Sequence, residues 1–183
     1  MPQLTNEERA SLTDQLSRSR DVLLQEITGL RPDQWAYHPD EETWSIGECA
    51  DHILTIERRI FSMVSKAMQA APANPERAAE VQHKTPKLLQ AVPAREVRIK
   101  VPPGIENHSH SSSPEDFTAP FQERRAMLLQ YVADTQHAMH DRVMPHIVFN
   151  DLDGCQWIYM ISLHSERHAA QIAEVKGHPG FPK

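Results

Sequence analysis

The chain has 183 residues, 39% hydrophobic and 24% charged, with a formal net charge of -6. That length suits one domain with its own core, spanning 1–183, and the acidic balance excludes a phosphate-backbone partner, which demands clustered Lys and Arg. No apolar run approaches the roughly 18–20 residues needed to cross a bilayer, and the polar start Met1–Arg9 lacks the apolar core of a signal peptide; with only Cys49 and Cys155, a disulfide framework is excluded and a cytoplasmic location is expected.

Four segments read as long helices. The first runs from about Asn6 to Leu30, with Leu12, Leu16, Leu23, Ile27 and Leu30 at spacings of three, four and one seven. Thr5 or Asn6 can cap it, and Pro32 marks its end. The second runs from about Ser45 to Ala71; Ser45 followed by Glu48 is a capping box, in which each side chain satisfies an orphan amide of the first turn. Pro72 and Pro75 terminate it.

Residues 72–113 differ in character. Pro75 to Leu89 can hold a short helix, whereas Pro102-Pro103-Gly104 and the His-Ser stretch at His108 and His110 read as loop. Val97–Val101 alternates but is isolated between prolines, so no strand is expected. The third helix runs from Pro114 or Phe117 to Val143, with Phe121, Leu128, Val132, Thr135 and Met139 on one stripe. The fourth runs from about Gln156 to Lys176, after a turn over Asn150–Gly154 and before Gly177. The expected architecture is an all-α antiparallel four-helix bundle with a long crossover between the second and third helices.

Histidine is over-used, with eleven copies. On the fourth helix Trp157, Ile161, His164, His168 and Val175 share the stripe that faces the core. His164 and His168 stand one turn apart, so two imidazoles can converge on one ion at about 2.0–2.1 Å. The residues between them are Ser165-Glu166-Arg167, so this is not the metalloprotease His-Glu-x-x-His motif. On the second helix Cys49, His52, Ile56, Ile60 and Met63 form another inward stripe. By spacing alone, His52 is one of several candidates for a third ligand, and a buried, hydrogen-bonded core histidine is the competing explanation for each. Three histidines leave coordination positions open, as a catalytic rather than a closed structural site requires.

Around these residues the chain resembles the DinB/YfiT-like superfamily of metal-dependent enzymes. The N-terminal match is Leu30-Arg-Pro-Asp-Gln-Trp35 with Thr43-Trp-Ser-Ile-Gly-Glu-Cys-Ala-Asp-His-Ile53. The C-terminal match is the run Trp157 to Ile172, which contains both helical histidines. The resemblance covers about 1–71 and 114–176. It implies a four-helix bundle, often dimeric, and a divalent transition metal, zinc or nickel, on His52, His164 and His168. It also implies a small-molecule substrate, in some relatives a low-molecular-weight thiol, and so favours a thiol S-transferase. A metal-dependent hydrolase and a non-enzymatic metal-binding stress-response protein are the alternatives.

Four further residues are candidates for substrate contact or for supporting the ligands. Cys49 lies one turn before His52, although a small buried apolar role also explains it. Glu48 can orient a water but is already used by the capping box. Arg167 can reach an anion or simply face solvent, and Gln171 lies on the His168 face. Trp44 and Trp157 pack at the helix starts or wall a pocket. His137, His140 and His146 show no ligand spacing.

Overall fold

The computed structural model describes residues 3–70, 72–94 and 111–183; Val97–Val101, His108 and His110 lie outside them. Helix α1 covers Asn6–Ile27 and opens on a Thr5–Glu8 capping box. It stops short of Leu30 because Gly29 takes a positive φ of 75°, a conformation that costs glycine nothing. Pro32 then begins a short helix, α2 (Pro32–Trp35), where its missing N–H is no loss. Helix α3 covers Ile46–Ala70. The Ser45 and Glu48 side chains take the reciprocal bonds of a capping box, at 2.8 and 3.2 Å.

The crossover contains α4 (Pro75–Val81), a 3-10 turn at Gln82–Lys84 and α5 (Thr85–Ala91). Helix α6, Pro114–Asp134, starts on a Ser113 cap and ends well before the expected Val143. A 3-10 turn at Met139–Asp141 leads instead into a hairpin of β1 (Val143–His146) and β2 (Asn150–Asp153). Val143 pairs with Asp153 and His146 with Asn150. The expectation of no strand and of a plain turn at Asn150–Gly154 is corrected here. Strands of four residues, one containing Pro145 and the other reading Asn-Asp-Leu-Asp, carry too little alternation to register as strands. Helix α7 covers Gly154–Lys176 and is capped by Asp153, with Gln156 answering from the third position.

α7 packs against α1 and α3, and α6 packs against the same two helices. Paired contacts give the directions. Ser11 meets Tyr159 and Glu26 meets Lys176, so α1 and α7 run parallel. His52 adjoins His164 while Met68 lies over Gly154, so α3 and α7 run antiparallel. Arg9 reaches the carbonyls of Val132 and Thr135 while Arg125 reaches that of Leu16, so α1 and α6 are antiparallel. α3 and α6 share a direction, since Ser111 bonds Asp51 near the start of both and Phe61 meets Tyr131 further along. Two neighbours that share a direction need a connection as long as the helix itself, about 37 Å for the 25 residues of α3. The crossover supplies it, and its return end is tied beside His52.

The apolar interior comes in two clusters. One gathers Leu12, Leu16, Ile60, Val64, Leu128, Val132 and Ile161; the other gathers Leu23, Ile27, Ile53, Phe117, Phe121, Ala169 and Ile172. Between them every long helix contributes a buried polar residue: Ser19, Glu57, Arg125 and Ser165.

Candidate metal centre

His52 comes from the second turn of α3 and His164 and His168 from the middle of α7. The antiparallel pairing of these helices brings the three rings together. Their centroids are separated by 5.0 Å (His52–His164), 4.8 Å (His52–His168) and 4.4 Å (His164–His168). One nitrogen of each lies within 4.8 Å of one nitrogen of the others. Nε2 of His164 and Nε2 of His168 are 3.2 Å apart. Two nitrogens each about 2.0–2.1 Å from a tetrahedral ion would be spaced similarly.

The donor set fits a cation. Burial pushes the His52 imidazole down to about 4, with the Arg59 charge adding to the effect. Burial likewise drives His164 well below the ordinary histidine range, helped by its neighbours His168 and His52 and by Arg167. Both rings are therefore neutral at physiological pH and present lone pairs rather than positive charge. Nδ1 of His168 lies 3.0 Å from Gln171 Oε1, a bond in which the ring donates. That places the His168 proton on Nδ1 and leaves Nε2 bare toward His164, the tautomer a metal ligand needs. Trp44 stacks on His168 at 5.9 Å and 15° and meets His52 at 4.8 Å, so its indole covers one side of the group.

The other candidates fall around this centre. Glu48 is held by its capping box, with His38 at 3.6 Å. Cys49 is fully buried in the apolar cluster of Ile53 and Phe117. The Arg167 guanidinium donates to the carbonyls of Val92 and Ala94, which ties the end of α5's following turn to the helix that carries His168. On the opposite flank Ser111 bonds Asp51, next to His52, through both its amide (3.0 Å) and its hydroxyl (2.7 Å). Gln171 contacts His168 directly.

Several features lie outside the expected apolar stripes and histidine set. Arg125 is fully buried and reaches Glu57 Oε2 at 2.8 Å, Ser19 Oγ at 2.8 Å, Ser165 Oγ at 3.0 Å and the Leu16 carbonyl at 3.0 Å. A usable signal existed: Arg125 occupies the gap of seven in the Phe121–Leu128 stripe, and Ser19 sits in the gap between Leu16 and Leu23. Elsewhere, His140, Asp153 and Cys155 also bring donor atoms within 4.8 Å of one another. An ion pair at 2.9 Å and the α7 cap account for His140 and Asp153, while burial beside carboxylates raises the Cys155 thiol far above its ordinary range. His146 accepts from the amides of Val148 and Phe149 and packs 5.0 Å from Trp157.

Residues 15–172 match the family model of the DinB superfamily. The chain is 29% identical over 157 residues to YuaE of Bacillus subtilis strain 168, an uncharacterized protein, covering 82% of this chain and 88% of that one. A solved structure from Bacillus subtilis, YfiT, superposes with a TM-score of 0.65 at 13% identity, over 100% of this chain and 93% of that one. YfiT is described as a probable metal-dependent hydrolase with an unusual four-helix bundle topology; at this identity the likeness shows the fold alone. Among the described residues no helix is long and apolar enough to cross a membrane.

Proposed function

The chain belongs to the DinB superfamily, and on that premise we propose that it is a metal-dependent enzyme whose divalent ion is held by His52, His164 and His168. The observation that carries this reading is the convergence of three imidazoles, two of them held neutral by burial, on one point between α3 and α7. Neutral imidazoles gathered this closely, one from α3 and two from α7, offer three nitrogen donors to a single cation.

The residues divide the work. His52, His164 and His168 supply three nitrogen donors and leave the remaining coordination positions to water or substrate. Gln171 sets the His168 tautomer, and Trp44 shields the rings from water on one side. A divalent ion held by these three histidines would supply Lewis acidity toward a water or thiol. Hydrolysis is the leading reaction class, supported by the description of YfiT. Transfer of a low-molecular-weight thiol rests on the family resemblance alone. A small-molecule substrate and a homodimer belong to the same proposal.

Elemental analysis of the purified protein tests the centre: about one equivalent of zinc or nickel is expected, and none in a His164→Ala/His168→Ala variant. Equal, near-zero contents in both, after incubation with excess metal, would sink the proposal. Turnover of p-nitrophenyl acetate without added thiol supports hydrolysis. Turnover of chlorodinitrobenzene only with added thiol supports transfer.

A further inference from the structure

The geometry points to Arg125 as the positioning residue of the three-histidine centre: by holding Glu57 on α3 and Ser165 on α7, it fixes the register that brings His52 level with His164 and His168. This inference rests on reading those histidines as metal ligands.

The ligands come from two helices, and apolar packing discriminates one register from a neighbouring one less sharply than directional polar contacts do. One residue of slip moves a helix by about 1.5 Å. That would be enough to take His52 out of range of a shared ion, because metal–nitrogen bonds tolerate only about ±0.2 Å. Directional polar contacts in an otherwise apolar core are the device that selects one register, at some cost in stability.

Here the polar layer adjoins the histidines on both helices. Ser165 directly follows His164, and Glu57 is one and a half turns beyond His52 on α3. Both are fully buried, as is Arg125, and each gives one oxygen to the same Nη2 atom, at 3.0 and 2.8 Å. The other terminal nitrogen, Nη1, binds α1 through Ser19 Oγ and the Leu16 carbonyl. One guanidinium on α6 therefore joins all three other long helices. Phe121 supports it from one turn before, 5.2 Å from the ring centroid. Because Ser165 Oγ also donates to the Ile161 carbonyl, its lone pairs are aimed at the guanidinium by α7 itself. A hydrophobic side chain at position 125 would fill the same space without linking α3 to α7.

The test compares zinc affinity, by chelator competition, and the visible spectrum of the cobalt-loaded protein in wild type and two variants. Arg125→Met/Glu57→Leu removes the two charges of the fully buried pair together. Ser165→Ala removes only the α7 contact. For the double variant we expect retained helicity and a melting temperature near or above wild type, with zinc bound at least about tenfold more weakly and an altered cobalt spectrum. Ser165→Ala should weaken binding in the same direction by a smaller factor. A folded double variant with affinity within about twofold of wild type and an unchanged cobalt spectrum overturns the inference. If the double variant does not fold, unchanged affinity in Ser165→Ala overturns it. Absence of zinc binding by the wild type overturns the reading of the histidines as ligands, and this inference with it.

Discussion

Nδ1 of His168 points at Gln171 Oε1, 3.0 Å away and one turn further along α7. The pair fixes which nitrogen of His168 is bare, and the bare one faces His164 at 3.2 Å. Gln171→Leu should therefore weaken zinc binding about 10–100-fold without abolishing it, the range seen when a ligand's outer partner is lost. Isothermal titration with the metal-stripped protein measures this; affinity unchanged from wild type would show that Gln171 does not orient the ring.

Proton competition for the centre should set in unusually late. An ordinary histidine, at 6.5, is mostly protonated at pH 5.5, whereas burial lowers His52 to about 4 and His164 also falls well below its ordinary value. Zinc occupancy at pH 5.5 should thus remain close to that at pH 7.5. The same shift acts on folding in the metal-free protein. The unfolded chain takes up protons near 6.5 that the folded one refuses, so the stability from these rings is present above 6.5 and is lost as pH falls toward 4. Chemical denaturation of metal-stripped protein between pH 4.5 and 7 reads this out, and stability that does not fall over that range would contradict it.

His140 titrates with the opposite sign. Its hydrogen bond to Asp153, 2.9 Å from Nδ1 to Oδ2, raises it above the ordinary value, aided by the charges of Asp153 and Glu8. A raised folded value stabilises fully below about 6.5, and the contribution disappears as pH rises through the folded value. His140→Gln should accordingly destabilise more at pH 6 than at pH 8.5, measured by urea midpoints. An equal loss at both would remove the ion pair as the cause.

Gly47 is a packing requirement. A Cβ there would lie 2.5 Å from Trp35 Nε1 and 3.0 Å from Trp35 Cδ1, and that indole N–H donates to the Ser111 carbonyl at 2.9 Å. Gly47→Ala should cost about 1–3 kcal/mol, as overpacking of a filled core does. It should also loosen the Ser111 anchor beside Asp51. A guanidinium melt gives the first effect, and amide hydrogen exchange at Ser111 the second; a variant as stable as wild type would refute the contact.

Much of this protein is written locally. The periodicity of Leu12, Leu16, Leu23 and Ile27, the Ser45–Glu48 capping box and the four-residue spacing of His164 and His168 depend only on helix geometry. They were legible because neighbours in a helix are neighbours in sequence. The hairpin was not legible, since β1 and β2 are too short for a pattern and are held by the helices they join.

The centre itself divides the same way. Helix periodicity alone puts His164 and His168 on one inward face and His52 on another. That these faces meet is a property of the packed helices, because the level of one helix against another is set by long-range contacts absent from any single segment. The sevens left open in the stripes of α1 and α6 show the limit. In one dimension they are missing leucines; in three they are Ser19 and Arg125, two parts of a buried layer in which Arg125 bonds Ser19, Glu57 and Ser165 from three different helices.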